Sequence, residues 1–338
     1  MKTDGNPIRF FVLDTLSKRI FLIEKEISKP CAIIASKENR STPLKKYILY
    51  AILAALLYAL STPISKVLLS TLEPTFIAGL LYLGAGFGMA IVGFIRKRVT
   101  KVETKKFTKA ELPSIIGMVV LDILAPIFLM IGLKTSIPEN VALLNNFEIV
   151  ATALFAAFLF KEVIPTRLRW AIVFVTIASV VLTVEDLSAF TFSPGSFLVL
   201  LATLCWGLEN NLTRKLSFHD PLMVVVIKGL FSGTGSLIIA LILGQASWNV
   251  WAILGTLALG FVAYGLSIFF YVSAQRGLGA AKTSAFYAIA PFVAALLSLV
   301  IFLEWPKPQF YVALLLMAVG SYLAANDFKK ENSKKISP

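Results

Sequence analysis

The stretch YALSTPISKVLLSTLEP, residues 58–74, decides the fold, because it returns with one gap as WGLENNLTRKLSFHDP at residues 206–221. The match sets Lys66 on Arg214 and Pro74 on Pro221. A constant offset then sets Gly86 on Gly233 and Gly88 on Gly235, and further along Lys134 falls on Arg276 and Glu162 on Glu304. Outward from these landmarks, each copy belongs to a run of five apolar stretches. A unit with an odd number of crossings inserts its second copy upside down relative to the first. The expected fold is therefore an all-α polytopic membrane protein, with ten transmembrane helices as two inverted five-helix repeats.

Composition agrees. The chain has 338 residues, of which 57% are hydrophobic and only 15% charged. With lipid as solvent, backbone polar groups must pair internally, and helices are the default solution. The expected spans are 47–68, 74–95, 113–133, 138–160, 168–184, 194–214, 221–243, 250–274, 280–302 and 308–325. Each has the length that crosses a hydrocarbon layer of about 30 Å at about 1.5 Å per residue. The organisation that follows is a tail at 1–46, a first repeat at 47–190, a second at 191–325 and a short tail at 326–338.

The net charge of +13 is placed by side. With the N-terminus in the cytoplasm, every Lys and Arg lies in the cytoplasmic tails and connectors except Lys66, Lys134, Lys307 and Lys228. That bias is a topogenic signal with attraction to anionic lipid, so no nucleic acid is expected as partner. Both termini are expected in the cytoplasm, and the cell membrane is the expected location.

The tail places Ile8, Val12, Leu16, Ile20, Ile23 and Ile27 at three- and four-residue steps. An interfacial amphipathic helix and a loosely ordered tail are both open readings. Cys31 and Cys205 have no metal-ligand spacing, and the single histidine, His219, builds no zinc site. There is no Walker-type glycine loop and no Ser/His/Asp set at one depth. Neither an enzyme nor a cofactor is expected.

The chain resembles the drug/metabolite transporter superfamily and, within it, EamA-type transporters with two repeats. Tyr58-Ala59 and Trp206-Gly207 each precede a basic residue by about eight positions, and FLFKEVIP (Glu162) and IFLEWPKP (Glu304) each end a span on an acid. AIAPFVAALLSLVIFLE with Pro291 has the usual form of such families. The resemblance spans 47–325 and implies a carrier of small solutes, a class that includes amino acids, other metabolites, drugs and nucleotide sugars. This chain departs from the pattern at Ile149, which stands where the second repeat has Pro291, at the polar cluster Glu209-Asn210-Asn211, and at Lys228.

Ionisable groups inside spans cost about 2.5–3.5 kcal/mol each at the centre, so each needs a partner, water or a function. They are Asp122, Glu148, Glu209 and Lys228. Glu148 is the first choice for binding an ammonium group or a coupling proton, with Asn145 three residues before and Thr152 four after it. Its alternative is a structural pair with Lys228. Glu209 shares a helix face with Trp206, which either stacks on substrate or packs. Asp122, four residues before Pro126, is either a substrate group or a partner at the kink. Lys228 either neutralises one of the acids or binds a substrate carboxylate, and Asp122 with Lys228 is the expected charge pair. Three acids against one base suit a proton-coupled carrier or a cationic or zwitterionic cargo. The cavity is expected between helices 1, 3, 4, 6, 8 and 9. The edge glutamates Glu162 and Glu304 are expected either to cap a loop or to pair with Lys161 and Lys307. Gly84-x-x-x-Gly88 and Gly229-x-x-x-Gly233 pack either inside the chain or across a homodimer.

The reading is thus a secondary active transporter of a small metabolite, an amino acid, amine or related solute, that exports or exchanges it as monomer or homodimer. The alternative is a membrane scaffold or sensor acting through its tail.

Overall fold

The computed structural model describes residues 43–99, 107–161, 164, 166–186 and 191–334. The amphipathic stretch at 8–27, Cys31 and Glu162 lie outside them. Fifteen α-helices follow in chain order: α1 (Pro43–Tyr58), α2 (Ser61–Leu68), α3 (Pro74–Val99), α4 (Leu112–Thr135), α5 (Pro138–Leu144), α6 (Phe147–Phe160), α7 (Thr166–Thr183), α8 (Pro194–Leu216), α9 (Pro221–Ile227), α10 (Gly233–Ile242), α11 (Val250–Leu259), α12 (Ser267–Leu278), α13 (Ala280–Tyr287), α14 (Ala290–Phe302) and α15 (Pro308–Lys334). Two wider π-helical segments, Lys228–Ser232 and Gly260–Leu266, join α9 to α10 and α11 to α12. The expected all-helical architecture needs one small correction. Between the halves, β1 (Val184–Asp186) and β2 (Thr191–Phe192) form an antiparallel ribbon.

Local chemistry sets the starts. Six helices (α1, α3, α5, α8, α9 and α15) begin on proline, whose missing N–H would be unpaired in a first turn anyway. Ser193, Asp220 and Asn249 cap α8, α9 and α11, accepting from the backbone N–H of Ser196, Leu222 and Ala252 at 3.3, 3.2 and 3.1 Å.

Seven helical stretches among the described residues are long and apolar enough to cross a membrane. They are Lys45–Leu68, Pro74–Arg98, Lys109–Thr135, Pro138–Leu159, Thr166–Thr183, Pro221–Ile242 and Val250–Leu278. Ala290–Phe302 and Pro308–Leu323 are shorter apolar helices. The 23-residue helix α8 carries Glu209, Asn210, Asn211, Arg214 and Lys215, and that polarity sets it apart from the apolar seven.

The two halves repeat their irregularities. α5 gives way to α6 at Asn145-Asn146, and α13 gives way to α14 at Ala288-Ile289, one residue from the register set by Lys134/Arg276 and Glu162/Glu304. Lys161 and Leu303, equivalent in that register, are the only non-glycine residues with positive φ among those described, at 54° and 53°. Packing obeys the same exchange. α4 lies along α8, and its counterpart α12 lies along α1, while α7 pairs with α15.

The glycines act inside the chain. A Cβ on Gly86 would sit 2.6 Å from the backbone N of Leu230, and one on Gly229 would overlap the backbone of Gly86. Gly84, Gly88 and Gly233 likewise press on Leu257, Phe261 and Leu83. The intrachain reading of both glycine pairs holds, and neither pair presents a free face for a second copy. The surface is apolar, with Phe87, Phe158, Ile242 and Leu315 largely exposed. Trp248, Trp251 and Trp305 stand out at the end remote from Arg96, Arg214 and Arg276, as anchors at a lipid–water boundary do.

Candidate functional site

A cleft with room for a few water-sized particles opens between the halves. Its lining includes Asp122, Glu148, Trp206, Glu209 and Lys228, so the structure brings five of the six sequence-selected residues to one place. The sixth, Asn145, lines an adjoining cavity with Asn146, Glu148, Ser284, Tyr287 and Pro291. Glu148 and Asn145 were expected on one face of a continuous helix. The break after α5 separates them, and Glu148 begins the first turn of α6.

Lys228 is the hub. It stands at the first position of a π-helical segment, where the helix widens, and is almost fully buried. Its Nζ lies 2.9 Å from Glu209 Oε1 and 3.2 Å from Asp122 Oδ2. Asp122, wholly buried on α4, accepts at Oδ1 from the Tyr82 hydroxyl at 2.8 Å. Trp206 Nε1 in turn donates to that tyrosine oxygen at 3.4 Å. Thr213, one turn beyond Glu209, donates to the same Glu209 oxygen that Lys228 reaches. Two carboxylates thus share one ammonium, and the cluster carries a formal negative charge. Its three charged members come from three different spans, and each carboxylate meets the ammonium and one hydroxyl, as burial in low dielectric requires.

Glu148 is not Lys228's partner. It faces the cleft half-buried and takes a hydrogen bond from Asn210 Nδ2 at 2.7 Å. Asn210 also reaches Thr152 Oγ1 at 3.2 Å, and Gln275 Nε2 holds the Asn210 carbonyl at 3.2 Å. Asn211 turns the other way, to the Thr152 carbonyl at 3.1 Å, and ties α8 to α6. Among the described residues no Lys or Arg lies within ion-pair distance of Glu148. Of the three acids that line the cleft, it is the one left without a cation.

The rest of the wall is aromatic. Tyr58, Tyr82, Tyr264, Tyr271 and Tyr287 line the cleft, five of the nine tyrosines in the chain. Tyr58 meets Tyr264, Tyr287 and Trp206 at centroid separations of 5.6, 5.7 and 6.3 Å. Tyr271 meets Tyr287 at 5.0 Å and bonds Ser284 at 2.7 Å. The sequence reading missed these tyrosines and also helices 2 and 7, which supply Tyr82 and Lys228. A signal existed in tyrosines set deep in otherwise apolar spans.

The end of the molecule that carries Arg96 is sealed by polar contacts. Arg96 pairs with Asp220 at 2.8 Å, both nearly buried. His219 meets Glu111 at 2.6 Å against the ring of Phe107. Arg276 donates to the carbonyls of Ser217 and His219 past the end of α8. At the opposite end Lys66 donates to the carbonyls of Leu133 and Ser136 at 2.7 and 2.8 Å, closing the C-terminus of α4. Lys134, the repeat equivalent of Arg276, pairs with Glu73 at 2.7 Å. Of the two readings of Glu304, the pair with Lys307 is absent among the described residues. Both are exposed beyond α14, whose left-handed end at Leu303 turns the chain away.

The model of the EamA-like transporter family matches the chain twice, over residues 45–184 and 193–326. An uncharacterized transporter of Methanothermobacter thermautotrophicus is 24% identical over 271 residues, covering 75% of this chain and 78% of that protein. The uncharacterized transporter YyaM of Bacillus subtilis is 24% identical over 182 residues, covering 50% of this chain and 58% of that protein. A solved crystal structure aligns with a TM-score of 0.65 over 82% of this chain and 95% of its own, at 18% identity, a likeness of fold alone.

Proposed function

We propose that this chain, which belongs to the EamA-like transporter family, carries an amino acid, an amine or a related small solute by alternating access around the Glu148 cleft. Its two halves are read as inverted five-span units, ten spans in all. The end bearing Arg96, Arg214 and Arg276 faces the cytoplasm, as the placement of basic residues favours. The cell membrane is the location that fits, and export or exchange is the direction. A monomer suffices for the cleft, which one chain encloses.

One observation carries the reading. A carboxylate with no cation partner among the described residues, Glu148, stands at the start of a half-helix inside an aromatic cleft beside a cluster that already holds its own ammonium. A buried ionisable group of this kind marks a solute or ion path. An ammonium group entering the cleft would find Glu148 as its counter-ion and tyrosine faces around it, a cation–aromatic environment. The same carboxylate suits a coupling proton, since it can be neutralised without dismantling the Lys228 cluster.

The experiment is flux in proteoliposomes after a thermal-shift screen of amino acids and amines, since a ligand that binds only the folded state raises its stability. Glu148→Gln is expected to lower transport of the ligand found by about tenfold to a hundredfold and to flatten its pH dependence. Unchanged flux with the same pH profile would remove Glu148 from the mechanism. No stabilising ligand and no flux, with function lost on deleting residues 1–42, would favour the scaffold reading.

A further inference from the structure

The cavity beside the cleft has a composition of its own. It sits where α5 and α6 part, opposite the equivalent break between α13 and α14, and has room for about one water-sized particle. Asn145 ends α5 and Asn146 precedes α6, so the break presents two consecutive amides to one volume. Both side chains are more than nine-tenths buried, and neither Oδ1 has a hydrogen-bond partner. A weak contact sets the direction of one of them: Asn146 Nδ2 lies 3.7 Å from the sulfur of Met317. Ser284 adds a hydroxyl and Glu148 a carboxylate with one oxygen that takes no hydrogen bond among the described residues.

Buried acceptors left without donors cost about 1–3 kcal/mol each, so two on residues that line one cavity call for a partner. The missing partner must be positive or a donor, small, and content with oxygen. We propose that this paired helix break holds a monovalent alkali cation, sodium, ligated by Asn145 Oδ1, Asn146 Oδ1, Ser284 Oγ and the free oxygen of Glu148. Hard cations take oxygen ligands, and divalent ions call for more carboxylate than the single one here. Carbonyl-type oxygens at a broken helix are a means by which membrane proteins hold such ions. Lys228 offers no competition, since Asp122 and Glu209 hold it.

Because Glu148, Tyr58 and Tyr287 line both the cavity and the cleft, the ion and the solute meet at the same residues. Sodium would then set the charge and position of Glu148, and with them the affinity for solute. This rests on the cleft assignment above but not on transport itself.

The test is the unfolding temperature of the purified full chain in NaCl, KCl and choline chloride at equal ionic strength, with no solute present. Sodium is expected to raise it saturably over choline, with potassium weaker. Asn146→Ala is expected to lose the sodium response while unfolding near the wild type in choline, and Asn146→Asp to keep it. Should the variants fail to fold, equilibrium dialysis of the wild type with radioactive sodium is expected to give one bound ion per chain. Identical unfolding in sodium and choline, no bound sodium in dialysis, or a full sodium response in Asn146→Ala would overturn the proposal. Full flux of solute in sodium-free medium together with unfolding identical in sodium and choline would overturn it and leave the carrier reading intact. Sodium binding in a chain that transports nothing would do the reverse.

Discussion

Lys228 places its ammonium 2.9 Å from Glu209 at the very residue where the helix after α9 leaves α-geometry. The widened turn and the ion pair belong together. The segment packs against α3 at Gly86, where no side chain fits, and this brings the lysine within reach of both Asp122 and Glu209. π-helical turns of this kind are frequent at functional sites, and here the turn organises the charge centre of the cleft.

Replacing Lys228 with Met leaves two acids in a dry cluster without their cation. Removing one member of a buried ion pair costs about 3–5 kcal/mol. Lys228→Met is therefore expected to unfold at much lower denaturant in detergent. The triple variant with Asp122→Asn and Glu209→Gln is expected to recover part of the loss. A single variant as stable as the wild type would show that the pair does not hold the helices.

Gly86 and Gly255 separate crowding from helix propensity. Gly86→Ala drives a methyl onto the backbone of Leu230 and Gly229, which cannot step aside as a side chain tip would. A loss of about 1–3 kcal/mol is expected from such overpacking. Gly255→Ala meets nothing nearer than 4.0 Å in the middle of α11 and is expected to be neutral or to stabilise by up to about 1 kcal/mol. Thermal unfolding of the two variants side by side checks the contrast.

Arg96 and Asp220 tie the end of α3 to the start of α9. If that contact closes one side of the cleft, Arg96→Ala and Asp220→Ala should each raise labelling of a cysteine placed in the cleft from that side. The double variant should add little. Coupling in the cycle of about 0.5–3 kcal/mol is the expected range for a direct contact. Strict additivity would mean that the pair is a bystander.

Much of this architecture was legible because repetition and hydropathy are written residue by residue. The Lys134/Arg276 and Glu162/Glu304 register aligns the two helix breaks to within one residue, and the rare backbone of Lys161 and Leu303 falls on it. Four ionisable residues in apolar spans pointed to the site, since their burial has to be compensated somewhere. Who compensates whom was legible only in part. The Asp122–Lys228 pair was expected from the sequence, but Glu209's share of the same ammonium was not, and Glu148, which stood open to pairing with Lys228, takes Asn210 instead. The break at Asn145-Asn146 escaped notice because neither proline nor glycine marks it, and the π-helical turns leave no periodicity to read. Tyr82 was overlooked because one tyrosine in an apolar helix looks like packing until Asp122 appears opposite its hydroxyl.

The central claim is that the cleft opens in turn to both sides of the membrane, and a thiol at Ile268 tests it without knowledge of the solute. Ile268 lines the cleft and takes no part in its polar network. With Cys31 and Cys205 replaced by Ser and Ile268 by Cys, a membrane-impermeant maleimide is applied to proteoliposomes from outside or trapped within. Labelling from both sides is the predicted result. Labelling from one side alone, or from neither, would contradict alternating access around Glu148.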